Sequence, residues 1–185
     1  MVKKKISTIL VRSGLKRTLH DETSEALFLT SGYVYKNAQE AERAFKDDPE
    51  RYLYSRFGNP TVNSLQQKLS ELEEAESCWI TATGMSAVFT IFMSYLRTGD
   101  RVVASRALFG SCHFILTQIL PNFGIDVELV DGKNIDEWEF ALKKKTKIVF
   151  FESPSNPCLE IIDIEKVSKI AHNSGALVVV DNVFA

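Results

Sequence analysis

The chain of 185 residues is short of the features that mark several common protein classes. It has three cysteines, Cys78, Cys112 and Cys158, an odd number set far apart with no CxxC pair. That spacing excludes a disulfide framework or a zinc ribbon, and it fits a reducing compartment where cysteine serves as small apolar filler. The three histidines, His20, His113 and His172, show no metal-ligand spacing, so no metal site is expected. No stretch approaches the roughly 18 apolar residues that a membrane span requires. The opening "MVKKKISTILVRSG" has a signal peptide's charged front. Its apolar run is broken by Ser7 and Thr8 and ends at Arg12, too short for an h-region, so a cytoplasmic location is expected. An excess of positive charge is also missing. The net charge is −2, and the two basic clusters, Lys3 to Lys5 and Lys143 to Lys145, are short. Nucleic-acid binding normally needs a strongly basic face. Both clusters read as solvated surface.

What remains is an ordinary globular composition, 45% hydrophobic and 25% charged, enough to build a core. The length suits one domain or a piece of something larger. Residues 1–58 carry no sustained period and read as an arm with short helical pieces, the clearest from Ala38 to Lys46. Periodicity sharpens at "GNPTVNSLQQKLSELEEAES", where Asn59 is a cap and Pro60 a first-turn residue. Val62, Leu65, Leu69 and Leu72 then recur at spacings of three and four, which predicts a helix.

Beyond it the pattern alternates. Apolar strands are predicted at 77–82, 101–105, 125–131, 147–153 and 176–181, and helices at 85–99, 111–124, 136–145 and 163–175. Gly99 and Gly175 stand as helix-closing glycines. Continuously apolar strands, each followed by a helix, indicate an α/β fold with a parallel sheet covered on both faces. Ligands in such folds gather at the carboxyl ends of the strands. That rule puts Ala82–Gly84, Arg106–Gly110, Glu152–Pro157 and Asp181–Phe184 on one rim.

Each rim motif has a chemical and a structural reading. Gly84 opens an apolar helix whose first amides are free, so Gly84 and Met85 can bind a phosphate; alternatively Gly84 relieves a clash in a plain βα turn. Tyr54 and Arg56, two apart in an extended segment, form a phosphate clamp, or else a packed phenol and a surface salt bridge. Asn156 in "ESPSNP" offers its amide to a ligand or satisfies its own turn. Asp181 follows "LVVV", where water is scarce, and needs a cationic partner. A protonated heterocycle nitrogen, a Mg²⁺ ion or an internal salt bridge would serve. With Phe109 as an aromatic wall, the set fits pyridoxal 5′-phosphate better than any other cofactor.

The stretches "YSRFGNPT", "ATGMSA", "LFGSC", "ESPSNP" and "VVVDNVFA", in this order, resemble the Cys/Met-metabolism family of pyridoxal-phosphate enzymes. Its members are cystathionine synthases and lyases, methionine γ-lyases and homoserine-ester sulfhydrylases. The likeness runs from about Ser31 to Ala185. It implies an aspartate-aminotransferase-like fold (PLP fold type I), with residues 1–58 as an arm making dimer contacts and 59–185 as an incomplete cofactor-binding large domain. It also implies that the C-terminal domain is absent. Gly84 and Met85 would hold the cofactor phosphate, and Tyr54 and Arg56 the phosphate of a neighbouring subunit in a dimer of dimers. Asn156 would contact the ring oxygen and Asp181 the pyridinium nitrogen. Most of the family has tyrosine where Phe109 stands, and many members have threonine at Val183. These departures resemble the O-succinylhomoserine sulfhydrylase branch, which implies γ-replacement of the ester by sulfide to give homocysteine in methionine biosynthesis. A cystathionine γ-synthase or γ-lyase activity is the alternative.

The family's Schiff-base lysine lies in a Ser-x-Thr-Lys segment that this chain does not contain, so it is expected beyond Ala185 and no catalytic residue is assigned here. A fragment inactive alone is the leading expectation. Behind it stand a non-catalytic chain that binds pyridoxal phosphate or docks on a partner, and an unrelated nucleotide-binding domain with Asp181 on Mg²⁺. A parallel sheet cut after one of its strands has an open edge, so poor solubility is expected of the chain alone.

Overall fold

A computed structural model describes residues 5–46 and 51–185. Lys3 and Lys4 of the first basic cluster lie outside them. The chain divides into two compact units, one up to Ile80 and one from Thr81 to Ala185.

The N-terminal unit holds α1 (Ile6–Arg12), α2 (Ala38–Phe45) and α3 (Pro60–Leu72). Asn59 caps α3 by accepting from the Thr61 amide, with Pro60 in the first turn where its missing N–H costs nothing. The buried Asn59 also donates to the Phe28 carbonyl at 3.0 Å, and Thr61 Oγ1 accepts from the Phe28 amide at 2.9 Å. One Asn-Pro-Thr turn therefore starts a helix and ties down a loop some thirty residues earlier. Tyr33 and Tyr52 stack with centroids 5.2 Å apart. A single antiparallel bridge joins Gly32 to Tyr54.

The second unit is a parallel α/β sandwich. It contains α4 (Gly84–Tyr95), β1 (Arg101–Ser105), α5 (Gly110–Phe114), β2 (Asp126–Val130), α6 (Ile135–Ala141), β3 (Ile148–Glu152), α7 (Ile164–Asn173) and β4 (Leu177–Asp181). All pairings are parallel and the order is β2-β1-β3-β4. The two central strands are buried along their whole length. Side chains alternate between two cores, as the twofold period of a strand requires. Val102, Ala104, Ile148 and Phe150 pack with Phe92, Leu116 and Leu120 on one face. Val103, Val149 and Phe151 pack with Trp138, Val167 and Ala171 on the other.

At the foot of the sheet the buried Arg101 pairs with Asp126 and Glu128 and donates to Thr146 Oγ1 at 2.6 Å and the Ala141 carbonyl at 3.0 Å.

Several expectations are corrected. Residues 77–82 pair with no strand among the described residues, and Trp79 is 80% exposed. An apolar run becomes a strand only where an edge meets it. The helix predicted over 85–99 ends at Tyr95, because Leu96 turns extended and sinks into the core. Gly99, with φ +90°, serves the following turn, where its amide donates to Gly124 O at 2.8 Å.

The helix predicted over 111–124 is regular only to Phe114. It widens into a π-helical turn over Ile115–Ile119 and tightens to 3₁₀ over Leu120–Phe123. Pro121 has no N–H for the ladder and crowds the preceding turn, which accounts for the change. The helix predicted over 136–145 stops at Ala141, leaving the lysines 143–145 outside it. Finally, β4 is a partly exposed edge strand rather than a buried one.

Phe150 lies at the centre of the sheet, fully buried and edge-to-face with Phe92 at 5.2 Å. Phe150→Ala is expected to lower stability by about 3–5 kcal/mol, read from the urea midpoint. A loss under about 1 kcal/mol would show that this face is not the core.

Candidate functional site

The order β2-β1-β3-β4 means that the chain steps from β1 to β2 on one side, then crosses back past β1 to β3 and goes on to β4 on the other. The topological switch therefore falls between β1 and β3, where an open α/β sheet leaves a crevice above its carboxyl ends. A cavity of about 490 Å³ lies in the same unit, lined among others by Gly84, Met85, Phe109, Asn156 and Asp181. Five of the seven residues singled out from the sequence thus share one cavity, drawn from four different loops. Tyr54 and Arg56 belong to the N-terminal unit.

Each lining residue is placed by local geometry. Thr83 caps α4, its Oγ1 accepting from the Ser86 amide at 3.0 Å. The amides of Gly84 and Met85 precede any intrahelical acceptor, so the positive end of a twelve-residue helix stands at the cavity. A Cβ built on Gly84 meets nothing within 4 Å. Relief of a clash within the chain is therefore no reason for the glycine, and the space in front of it is open to the cavity.

Asn156 is half-buried and its side chain makes no hydrogen bond among the described residues. The turn is satisfied instead by Ser155, whose Oγ accepts from the Glu160 amide at 3.0 Å. Asp181 ends β4 and is half-buried. Its Oδ1 accepts from the Val183 amide at 3.2 Å, and no cationic side chain pairs with it among the described residues. An internal salt bridge is therefore not what holds this carboxylate. No group of three or more His, Cys, Asp or Glu side chains suited to a metal gathers among the described residues.

In the N-terminal unit, residues 54–58 form a turn rather than the extended segment expected, with Phe57 and Gly58 amides donating to Tyr54 O at 2.8 and 3.1 Å. The turn still brings the pair together: the Arg56 guanidinium lies 5.3 Å from the Tyr54 ring centroid and 5.4 Å from that of Phe57. Arg56 forms no ion pair among the described residues.

Sequence reasoning passed over Glu152, Asn182 and Cys112. Asn182 Nδ2 donates to Ser153 O at 2.7 Å and ties the β3 and β4 rim loops together. Glu152 is an ionisable residue at the tip of "IVFF", the same signal that picked out Asp181 after "LVVV". Cys112 is buried with its Sγ 3.9 Å from Asp181 Oδ2. Burial first, then the Asp181 and Glu152 carboxylates, push its thiol up to about 12.

A free helix N-terminus for an anion, a carboxylate without a cation, an amide donor and an apolar floor with an aromatic wall suit a flat cationic ring carrying a phosphate. The family of Cys/Met metabolism PLP-dependent enzymes matches residues 7–185. The chain belongs to this family. It is 48% identical over 179 residues to an O-succinylhomoserine sulfhydrylase of Mycobacterium tuberculosis H37Rv, a match that covers 97% of this chain and 44% of that protein. An O-succinylhomoserine sulfhydrylase of Pseudomonas aeruginosa is 42% identical over 96% of the chain and 44% of its own length. An L-methionine gamma-lyase of Fusobacterium nucleatum is 37% identical over 97% of the chain and 46% of its own length.

Among solved structures, a Campylobacter jejuni protein assigned as an O-acetylhomoserine (thiol)-lyase superposes with a TM-score of 0.89 at 29% identity. That match covers 97% of this chain and 44% of that one, whose structure carries N′-pyridoxyl-lysine-5′-monophosphate. The chain thus spans less than half the length of these relatives. Its parallel α/β fold is that of the PLP-dependent trans-sulfuration enzymes.

The thiols provide a check on the cavity wall. Cys112 is expected to resist iodoacetamide from pH 7 to 9 while the exposed Cys158 is modified, as read by peptide mapping. Because the folded thiol titrates near 12 and an unfolded one near 9.0, the folded chain keeps a proton that the unfolded chain sheds. Stability is therefore expected to be unaffected by this group below pH 9 and to fall as pH rises toward 12. Equal labelling of both cysteines at pH 8 would show that Cys112 is not buried against Asp181.

Proposed function

We propose that this chain is the cofactor-binding, amino-terminal part of a pyridoxal 5′-phosphate-dependent sulfhydrylase acting in methionine biosynthesis. The reaction is γ-replacement, in which sulfide displaces the ester of O-succinylhomoserine and yields homocysteine. The observation that carries the reading is Asp181, a carboxylate on an apolar cavity with no cationic partner among the described residues. The two sulfhydrylase relatives, at 48% and 42% identity, support the choice of reaction.

When bound, the cofactor supplies an electron sink for the α-carbon of an amino-acid substrate. The chain's residues supply the setting. Asp181 keeps a proton on the ring nitrogen, since a nearby opposite charge favours the protonated form. Gly84 and Met85 hold the phosphate through backbone amides at the start of α4. Asn156 donates to the ring oxygen. Phe109 covers a ring face and, having no hydroxyl, exchanges no proton; Val183 likewise adds none. Apolar residues of α4 and β4 keep water from the ring.

Tyr54 and Arg56 clamp the phosphate of a neighbouring subunit. The arm of residues 1–58 makes the dimer contacts, 59–185 carries the cofactor cradle, and the assembly is a dimer of dimers in the cytoplasm. Among the described residues no lysine lines the cavity, and none is assigned the covalent anchor or the proton shuttle.

A second reading, γ-lyase or cystathionine γ-synthase activity, is supported by the 37% identical methionine gamma-lyase. A reading of another class, a chain that binds the cofactor or docks on a subunit without catalysis, is supported by the lack of a lysine in the lining.

The test uses pyridoxine 5′-phosphate, which carries ring and phosphate but no aldehyde. Calorimetric titration is expected to show binding that Asp181→Asn weakens about tenfold to a hundredfold. Pyridoxal phosphate followed by borohydride is expected to mark no single lysine. Unchanged affinity in the variant, or binding of Mg-nucleotide with no response to the pyridine, would overturn the reading. In a full-length protein containing this chain, O-succinylhomoserine and sulfide are expected to yield homocysteine, whereas 2-oxobutyrate as the main product would favour the lyase.

A further inference from the structure

Glu152 is left without a task by the roles above. It ends β3, is 1% exposed, and stands at paired register with Asp181 of β4. No cation accompanies it among the described residues. Its Oε2 accepts from the Phe109 amide at 2.7 Å, across 43 positions of sequence and across the gap between β1 and β3 where the topology reverses. Its Oε1 is buried with no hydrogen-bond partner. A carboxylate held so deeply with one direct bond is expensive, and an apolar side chain of similar size would fill the same space at lower cost.

Phe109 has one other backbone hydrogen bond among the described residues, its carbonyl accepting from the His113 amide at 2.9 Å. It precedes α5, a helix of only five residues, and its own side chain offers no cap. Upstream, the loop is fixed by the Arg106 amide on Val130 O at 2.8 Å and by the buried Leu108. Neither contact sets the direction of the Phe109 ring, which is 40% exposed and lines the cavity. The Glu152 carboxylate adds a restraint at the amide nitrogen, next to the Cα from which that side chain departs.

We propose that Glu152 is a positioning residue: by holding the Phe109 amide it sets the aromatic wall against which a planar ligand stacks. The inference rests on the reading of the cavity as a site for a flat heteroaromatic phosphate. Glu152 also lines the cavity, and its action on stacking runs through Phe109. A carboxylate serving only to finish the strand would have no such link.

The experiment uses the 185-residue chain and two readouts. Without ligand, amide hydrogen exchange by mass spectrometry at single-residue resolution follows Phe109 alongside β1 and β3. In the wild-type chain the Phe109 amide is expected to be protected; exchange at the rate of an unstructured amide overturns the proposal before any variant is made. Glu152→Leu removes the acceptor and is expected to speed Phe109 exchange at least about tenfold with β1 and β3 unchanged. Glu152→Gln keeps an acceptor oxygen and is expected to retain protection and the fold. Loss of Phe109 protection in the glutamine variant, with the sheet still protected, counts against the proposal even if the leucine variant unfolds.

With pyridoxine 5′-phosphate as ligand, Glu152→Leu and Phe109→Leu are each expected to weaken binding about threefold to tenfold. The double variant is expected to bind no more weakly than Phe109→Leu alone, whereas additive losses would overturn the link. Failure of the wild-type chain to bind this ligand would remove the cofactor reading, while the exchange pattern would still decide whether Glu152 sets Phe109.

Discussion

Two-sided burial of β1 and β3 is the constraint from which the rest of the second unit follows. A strand covered on both faces has no position along its length where an unpaired charge is tolerable. Charge is therefore pushed to the strand ends, and the two ends handle it differently. At the foot, Arg101 is the buried cation, surrounded by Asp126, Glu128, Thr146 and a carbonyl of α6. At the rim stand Glu152 and Asp181, side by side on adjacent strands, and no cation pairs with either among the described residues. The foot thus joins a cation to carboxylates, whereas the rim sets two carboxylates together.

The rim gains its second ingredient from α4. The apolar face that buries Phe92 in the core also fixes the start of the helix, with Gly84 and Met85 facing the cavity. Positive helix end and negative strand ends thus lie on one cavity as fixed features of the fold. A ligand with an anionic tail and a cationic ring meets both without reorganisation, which is the sense in which such a site is preorganised. Cys112, pressed against Asp181, is kept as a neutral thiol by the same crowding that makes the carboxylates conspicuous.

Membership of the Cys/Met metabolism PLP-dependent family accounts for the cradle and leaves the choice of reaction to finer detail. Phe109 and Val183 both border the cavity, and neither carries a hydroxyl. The N-terminal unit contributes a different surface. Its turn at 54–58 gathers Tyr54, Arg56 and Phe57, and the guanidinium forms no ion pair among the described residues. A cation beside two aromatic rings is held by their electron-rich faces.

Much of this was legible in the chain as a string. Runs of four or five apolar residues ended by an ionisable one marked β3 and β4 together with their rim positions. Asn59-Pro60 announced the start of α3, and glycine before an apolar helix announced the free amides of α4. These are local signals, set by backbone sterics and by periodicity within one element, so one segment suffices to carry them. Other features were decided only by tertiary structure. Whether 77–82 pairs as a strand depends on an edge supplied elsewhere, and where the helix before Gly99 stops depends on Leu96 finding the core. Tyr54 and Arg56 meet through a turn that spacing alone misread as extended. Above all, the bond between Glu152 and the Phe109 amide joins residues that no local pattern relates. It exists because β1 and β3 are neighbours in the sheet though not in the sequence, and strand order is a property of the packed whole.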